Sequence, residues 1–147
     1  MRGFTLIESI VVIAILAIVA LASINTITEF QRNAILSAAT QELGSTLRVA
    51  RQDSISGLVK PGETDGSYGI TLSGNSYQLN RYTPSLDPEV LEQHTIDSSL
   101  IVSPNPIDIR FTRITGAPSS EVTMTITRTG TTTSRTVVVN ANGLISL

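Results

Sequence analysis

Apolar residues form one long run at the start of the chain and become periodic after it. Residues 4–24 read FTLIESIVVIAILAIVALASI, an aliphatic segment in which only Glu8 carries charge. Across residues 25–57 the apolar positions recur mostly at steps of three or four, which is typical of an amphipathic helix. No proline occurs before Pro61, so nothing in the sequence forces a break between the two segments. The pattern therefore predicts one continuous helix over about residues 4–56.

The second half of this predicted helix has an apolar face that is suited to cover a β-sheet. Gly44 is its weak point, because glycine costs roughly 1 kcal/mol relative to alanine inside a helix. Gly57 is well placed to end the helix as a left-handed cap. The residues predicted to form the apolar face are Ile24, Ile27, Phe30, Ala34, Ile35, Ala38, Leu43, Leu47, Ala50 and Ile55.

Beyond residue 57 the pattern changes to the alternation that is typical of β-strands. Two alternating runs flank Gly74 and Asn75 and predict a β-hairpin over residues 67–82. The motif NANG at residues 140–143 predicts a second hairpin, between the last two strands. The further strands are predicted at residues 90–96, 100–102, 107–114, 122–127, 136–140 and 144–147. The prolines expected between strands are Pro84, Pro88, Pro104, Pro106 and Pro118.

These elements predict an α+β fold, in which a long N-terminal helix packs on a small antiparallel β-sheet domain. Composition then narrows the classes of function. Of the 147 residues, 41% are hydrophobic and 4% are aromatic. The chain has no cysteine, which excludes disulfides, thiolate metal sites and thiol chemistry. Its formal net charge of −2 lacks the basic excess that is typical of nucleic-acid-binding proteins.

The first segment has two interpretations. Residues 4–24 reach the ~20 apolar residues with which one helix crosses a ~30 Å hydrocarbon layer. Alternatively, a basic start, an apolar core and an A-x-A site form a secretory signal peptide that is cleaved after Ala22. Against this alternative, the helical period continues through the cleavage site, and a signal peptide has no use for Glu8. An ionised acid at membrane depth costs about 2.5–3.5 kcal/mol, so we expect Glu8 to have a partner.

The stretch RGFTLIESIVVIAIL, residues 2–16, resembles the class III signal of type IV pilins and type II secretion pseudopilins. The resemblance implies that a prepilin peptidase cuts between Gly3 and Phe4 and that the new N-terminal Phe4 is methylated. It also implies that Glu8 pairs with the N-terminal amine of a neighbouring subunit during assembly. Such a pair makes a buried carboxylate tolerable, whereas removal of one partner typically costs about 3–5 kcal/mol.

The resemblance also implies an organisation and a location. Residues 1–3 are expected to be a leader, residues 4–24 a transmembrane and filament-core helix, residues 25–57 its amphipathic continuation, and residues 58–147 the β domain. The subunit is expected to span the cytoplasmic (inner) membrane once, with its N-terminus inside, and then to enter an extracellular or periplasmic filament. The expected partners are the prepilin peptidase, other pilins or pseudopilins, and an inner-membrane assembly platform.

Two further segments resemble H-type pseudopilins and FimT-like minor pilins. They are AATQELGSTLRVARQDSISG, at residues 38–57, and TVVVNANGLISL, at residues 136–147. This resemblance favours a minor pilin or a pseudopilin, and it leaves open whether the filament serves secretion, adhesion, motility or DNA uptake. The alternative function, from a different class, is a secreted β-domain binding module that is released by cleavage after Ala22.

The residue pattern does not predict an enzyme. His94 is the only histidine, which argues against a catalytic triad or a multi-histidine metal site, and we expect it to be an ordinary strand residue. The serines lack the G-x-S-x-G and S-x-x-K contexts that activate a nucleophile. We therefore expect no catalytic residue, no metal and no cofactor.

Two sets of charged residues were considered as binding sites. Two pairs of acidic residues lie in turn-rich segments: Glu63 with Asp65, and Asp87 with Glu89. A Ca²⁺ ion takes about six to eight oxygen ligands, and two acids in one segment are too few to indicate such a site. Four arginines of the last third resemble those with which some FimT-like pilins bind DNA: Arg110, Arg113, Arg128 and Arg135. From residue 58 onward, however, six basic residues stand against eight acidic ones, which argues against nucleic acid as a partner.

Overall fold

The computed structural model describes residues 5–57, 66–83 and 86–147, without the side chains of residues 22–28 and 86. The described part confirms the predicted α+β class, since a long N-terminal helix packs on antiparallel β-sheets. The helix is α1 (Leu6–Ser56), and the strands are β1 (Ser67–Ser73), β2 (Ser76–Thr83), β3 (Leu86–Thr95), β4 (Leu100–Ser103), β5 (Ile107–Phe111), β6 (Val122–Arg128), β7 (Ser134–Val139) and β8 (Ile145–Ser146).

The strands form two four-stranded sheets, in the orders β3-β2-β1-β5 and β4-β6-β7-β8. In the first sheet β1 pairs with β2 across the turn at Gly74, which confirms the predicted hairpin. The other neighbour of β1 is β5, a strand that follows much later in the sequence. In the second sheet β7 pairs with β8 across the NANG turn, where Val139 lies opposite Ile145. All described strand pairs are antiparallel.

The helix α1 ends at the predicted place. Gly57 has a φ of 62°, and its N–H donates to the carbonyl oxygen of Ser54 at 3.3 Å. The last turn of α1 contains no basic residue of its own. Arg113 lies there instead, with its Nε 3.4 Å from the point that a Cβ on Gly57 would occupy. Its positive charge complements the partial negative charge at the C-terminus of the helix.

The chain divides into two compact units, Met1–Ile35 and Leu36–Leu147. In the first unit, every side chain from Thr5 to Leu21 is exposed. Arg32 and Glu29 form an ion pair there at 2.6 Å, and a surface pair of this kind contributes about 0–1 kcal/mol. The described members of the hydrophobic core all belong to the second unit, which contains the end of α1 as well as the strands.

The face that α1 buries in the second unit differs in part from the predicted one. Leu43, Leu47 and Ala50 are buried as predicted, but Phe30 and Ile35 are 75% and 40% exposed. The prediction was therefore wrong for Phe30, Ala34, Ile35 and Ala38, which are exposed, whereas the side chains of Ile24 and Ile27 lie outside the described residues. The buried positions are Leu36, Thr40, Leu43, Gly44, Thr46, Leu47, Ala50 and Ser54.

A polar residue on the buried face explains this error. Thr40 is buried because its hydroxyl donates to the carbonyl oxygen of Leu36 at 2.7 Å. A prediction from hydrophobicity alone assigns Ile35 and Ala38 to the buried face of α1, because the observed face contains a threonine. Thr46 and Ser54 are further buried polar residues of α1, and the hydroxyl oxygen of Ser54 accepts the N–H of Tyr68 at 3.0 Å. This hydrogen bond joins the end of the helix to β1.

Strand β3 also differs from its prediction. It begins at Leu86 instead of residue 90, and Pro88 lies inside the strand, not between strands. Since β3 is an edge strand, a residue without an N–H is tolerated there. Asp87 and Glu89 consequently lie on a strand and not in a turn. Glu89 forms an ion pair with the buried Arg81 of β2, with 3.2 Å between Oε2 and Nη1.

Two glycines permit close approaches in the second unit. A Cβ on Gly69 would lie 2.2 Å from the carbonyl oxygen of Ile109, so a side chain there would push β1 and β5 apart. A Cβ on Gly44 would lie 2.5 Å from Cδ2 of Leu147. The predicted weak point of the helix is therefore a place where another segment packs closely against it.

Candidate assembly site

The first turn of α1 is fixed by Thr5. The N–H of Glu8 lies 3.1 Å from the carbonyl oxygen of Thr5 and 3.4 Å from its Oγ1, and both oxygens accept this hydrogen. The N–H of Ser9 also donates to the Thr5 carbonyl, at 3.3 Å. These contacts satisfy backbone donors that would otherwise lack a partner at the start of the helix. Thr5 therefore acts as the N-cap of α1.

This cap gives Glu8 a second property that the sequence reasoning missed. Thr5 and Glu8 have the S/T-x-x-E spacing of a capping box, which is the signal that predicts such a helix start. Glu8 lies in the first turn, where the partial positive charge of the helix favours a carboxylate by about 0.3–1 kcal/mol. The negative charge is thus placed favourably at the N-terminal end of the helix.

The residues on both sides of Glu8 form an aliphatic surface, defined here as the exposed apolar side chains of residues 6–21. They lie on all sides of the helix, and a helix that is apolar all round is normally surrounded by apolar material. Within residues 6–21 the polar side chains are Glu8 and Ser9, and Glu8 is the one that carries charge. The exposed members are Leu6, Ile7, Ile10, Val11, Val12, Ile13, Ile15, Leu16, Ile18, Val19 and Leu21.

Of the residues predicted to form the processing and assembly site, the structure describes one. Gly3 and Phe4 lie outside the described residues, whereas Glu8 is described and exposed. The structure brings Glu8 together with Thr5. Among the described residues, no helix has both the length and the apolar character needed to cross a membrane.

In the second unit, His94 lies on β3 as expected, between two carboxylates. Its Nδ1 is 2.9 Å from Oε1 of Glu42 on α1, and its Nε2 is 3.3 Å from Oε2 of Glu92. The ring stacks on Tyr77 with 4.9 Å between the ring centroids. The cluster connects α1 to the edge strand of the first sheet.

Two neighbours of this cluster have altered pKa values. Burial is the main cause that raises the pKa of Tyr77 to about 12. Burial, and then the negative charge of Glu92, raise the pKa of Asp53 above its usual value of 3.8. Among the described residues, no group of three or more His, Asp or Glu side chains is arranged to hold a metal ion. The acid pair at residues 63 and 65 lies outside the described residues.

The four arginines of the last third belong to different parts of the second unit. Arg110 lies on β5 of the first sheet, and Arg113 follows that strand. Arg128 ends β6 and Arg135 lies on β7, both in the second sheet. Arg110 donates through Nε to Oδ2 of Asp108 at 2.9 Å, so part of its charge is balanced locally.

Comparison with known protein families matches the segment that contains the first turn of α1. Residues 1–24 match the family described as the Prokaryotic N-terminal methylation motif. The matched segment contains Gly3, Phe4 and Glu8 as well as the cap residue Thr5. Comparison with curated proteins and with solved structures gave no match. The motif is the signal of type IV pilins and pseudopilins, and it supports a structural subunit of that kind.

Proposed function

We propose that this protein is a filament subunit, a minor pilin or pseudopilin, which is processed by a prepilin peptidase and assembled through the start of α1. The observation that carries the proposal is Glu8, a single carboxylate in the first turn of a helix whose following side chains are aliphatic and exposed. The match of residues 1–24 to the methylation motif supports the same assignment.

In this proposal the peptidase cuts between Gly3 and Phe4, and the new Phe4 amine is methylated. The subunit first resides in the cytoplasmic membrane through residues 4–24, with its N-terminus inside. An assembly platform in that membrane then transfers it into the filament. The exposed side chains of residues 6–21 support this role, because they have apolar surroundings both in a bilayer and among neighbouring helices.

Glu8 would set the register between subunits. Apolar contacts are non-directional, so aliphatic side chains alone allow neighbouring helices to slide. A carboxylate that meets the N-terminal ammonium of the next subunit in an apolar environment fixes one axial position. Loss of one partner of such a pair leaves a buried unpaired charge, at a typical cost of about 3–5 kcal/mol.

Residues 36–147 form the part that the filament displays, and we place the subunit in the H-type group. The support is the sequence resemblance of residues 38–57 and 136–147. Leu43, Leu47 and Ala50 pack in the core, and the C-terminal segment forms β7, its turn and β8. The role of the filament, whether secretion, adhesion, motility or DNA uptake, depends on the other proteins with which it assembles.

The decisive experiment replaces Glu8 in the native host. Glu8→Ala should leave membrane insertion and cleavage unchanged but lower the fraction of subunit found in sheared filaments by at least about tenfold, which corresponds to 1.4 kcal/mol. Quantitative immunoblots of membrane and filament fractions give this fraction. Ser9→Ala is the matched control, because it removes a side-chain contact to Thr5 in the same turn, and its incorporation should equal that of wild type.

Glu8→Gln separates the charge of Glu8 from its place in the cap. Glutamine takes the same place as glutamate in a capping box, but it carries no charge. Pairing with an ammonium therefore predicts that Glu8→Gln fails like Glu8→Ala. If Glu8→Gln assembles normally while Glu8→Ala does not, Glu8 acts through the helix cap and the pairing proposal is wrong.

Processing is tested by the mass and sequence of the mature N-terminus from host membranes. A chain that starts at a methylated Phe4 supports cleavage by a prepilin peptidase, and Gly3→Asp should then accumulate as an uncleaved precursor. A chain that starts at Ser23 would show an ordinary signal peptide. It would replace the filament proposal with a secreted binding module.

A further inference from the structure

A cavity of about 250 Å³ lies beside the end of β5 in the second unit. Two arginines and three hydroxyl residues line it, and none of its described lining residues is an acid. Guanidinium and hydroxyl groups are hydrogen-bond donors that suit the oxygens of an anion. The lining consists of Ser67, Arg110, Phe111, Thr112, Arg113 and Ser119.

The Arg110 guanidinium is oriented by two neighbours. Its Nε donates to Oδ2 of Asp108 at 2.9 Å, and its Cζ lies 4.0 Å from the centroid of the Tyr82 ring. The Nε–H is one of five N–H donors of an arginine side chain. The side chain is 52% exposed, and the contact with Asp108 fixes the position of its Nε. A ligand would therefore meet an arginine that is already positioned.

The wall that carries Arg113 is held by backbone hydrogen bonds. The N–H of Thr112 donates to the Ala117 carbonyl at 2.7 Å, and the N–H of Ile114 donates to the Ser54 carbonyl at 3.0 Å. Ile114 has a φ of 73°, which lies in the left-handed region that is strained for a non-glycine residue. The turn keeps this conformation because it is anchored to the end of α1. The cavity is accordingly fixed on this side without any ligand.

The size of the cavity limits what it accepts. Sites for drug-sized molecules measure about 300–1,000 Å³, so a space of 250 Å³ fits a single small group. Arginine binds phosphate and sulfate through paired N–H donors, and neighbouring hydroxyls supply the remaining hydrogen bonds. We propose that this cavity binds one tetrahedral oxyanion, a phosphate or a sulfate group, through Arg110 and Arg113. This site would function independently of filament assembly.

The test uses the full-length protein in a non-ionic detergent. Sodium phosphate and sodium sulfate are titrated at constant ionic strength against sodium chloride, and the Nε–H signals of Arg110 and Arg113 are followed by NMR. Saturable shifts with phosphate or sulfate and none with chloride are expected. Arg110→Gln should weaken binding at least about tenfold, which corresponds to 1.4 kcal/mol. Arg135→Gln removes an equal charge from an exposed position on β7 and should leave the affinity within about twofold.

Two further variants test the geometry of the site. Arg110→Lys keeps the charge but loses the planar pair of donors, so binding should still weaken. Ser119→Ala removes one hydroxyl from the lining without a change of charge, and it should weaken binding as well. The proposal is overturned if the shifts never saturate, if chloride reproduces them, or if Arg135→Gln and Arg110→Gln lose affinity equally.

A short polyphosphate identifies the source of the group. If it binds more tightly than inorganic phosphate at equal phosphate concentration and Arg110→Gln abolishes the gain, the natural ligand is a group carried on a polymer. If polyphosphate and inorganic phosphate bind with equal affinity at equal phosphate concentration, the natural ligand is the free ion. Binding of polyphosphate that Arg110→Gln leaves unchanged would mean that the cavity is not the site, and it would overturn the proposal.

Discussion

Two acidic residues of α1 lie in opposite electrostatic settings. Glu8 is in the first turn, where the partial positive charge of the helix stabilises a carboxylate. Asp53 is near the other end, where the partial charge is negative, and it also lies within the field of Glu92. The pKa of Asp53 is raised by burial and then by Glu92. The same type of side chain is therefore favourable at one end of the helix and unfavourable at the other.

We predict that Asp53→Asn increases the free energy of unfolding at neutral pH. A raised pKa means that the folded chain holds the proton of Asp53 more tightly than the unfolded chain does. Its carboxylate thus lowers stability above the folded pKa, and this loss disappears as the pH falls below the usual value of 3.8. The gain should be present at pH 7, where the carboxylate is charged in both states, and absent near pH 3.

Urea unfolding of wild type and Asp53→Asn at pH 7 and near pH 3 measures this difference. The two proteins should converge at the lower pH. Glu121→Gln, at an exposed position in the second unit, is the control for removal of one negative charge. A variant that is less stable than wild type at pH 7 would show that the Asp53 carboxylate makes a favourable contact instead.

The end of α1 is a helix with one buried face. A set of buried positions recurs at steps of four and three from Leu36 to Ser54, with the buried Gly44 and Thr46 beside it, while Val49 is 47% exposed. This spacing matches the turn of an α-helix, so one stripe faces the core. Packing of that stripe, together with the hydrogen bond between Ser54 and Tyr68, joins the helix to the sheets.

We predict that Leu47→Ala lowers the free energy of unfolding by about 2–5 kcal/mol, because it leaves a cavity at a fully buried position. Val49→Ala, two residues further along the same helix, should change it by less than about 1 kcal/mol, since valine is largely exposed there. Chemical denaturation followed by far-UV circular dichroism gives both values. Similar losses in the two variants would contradict the assigned buried face.

Elements with a local signal were predicted well. Gly57 ends the helix with a positive φ, and Gly74 with Asn75 forms the turn between β1 and β2. Features that depend on distant partners were not predicted. The pairing of β1 with β5 joins segments far apart in sequence, and the place of Pro88 inside β3 depends on that strand being at an edge.

The candidate assembly site was predicted from a motif, and its local structure was missed. The sequence singled out Glu8 as an acid before an aliphatic run, while the capping role of Thr5 was present in the same four residues and was overlooked. No pattern in the sequence indicated that the residues of the cavity beside β5 would lie together. Its lining comes from residue 67 and from residues 110–119, which only the β1–β5 pairing brings together.

For the whole molecule, the position of the core decides which fragments can fold. The described core begins at Leu36, and four of its members belong to α1: Leu36, Leu43, Leu47 and Ala50. We therefore predict that a chain of residues 33–147 unfolds cooperatively, whereas a chain of residues 58–147 has no cooperative transition. Loss of several buried side chains at about 2–5 kcal/mol each exceeds the total stability of about 5–15 kcal/mol that is typical of a domain.

Thermal unfolding by circular dichroism and the dispersion of amide signals in NMR spectra distinguish the two fragments. The longer fragment should give dispersed signals and a sigmoidal transition. A folded 58–147 fragment would show that the two sheets form a core without the helix, and it would support a domain boundary after residue 57.

The chemistry of the core has a consequence for how such a protein changes over evolutionary time. Most core members are Leu, Ile or Val, with Phe111 as the largest fully buried side chain. Aliphatic residues replace one another at low cost when the total volume is kept. Residues 36–147 can therefore accumulate many substitutions and diversify their outer surface while the fold persists. Under the proposed function, Glu8 must pair with the N-terminal amine of a neighbouring subunit, and a residue without a negative charge does not replace it. Selection therefore holds Glu8 fixed.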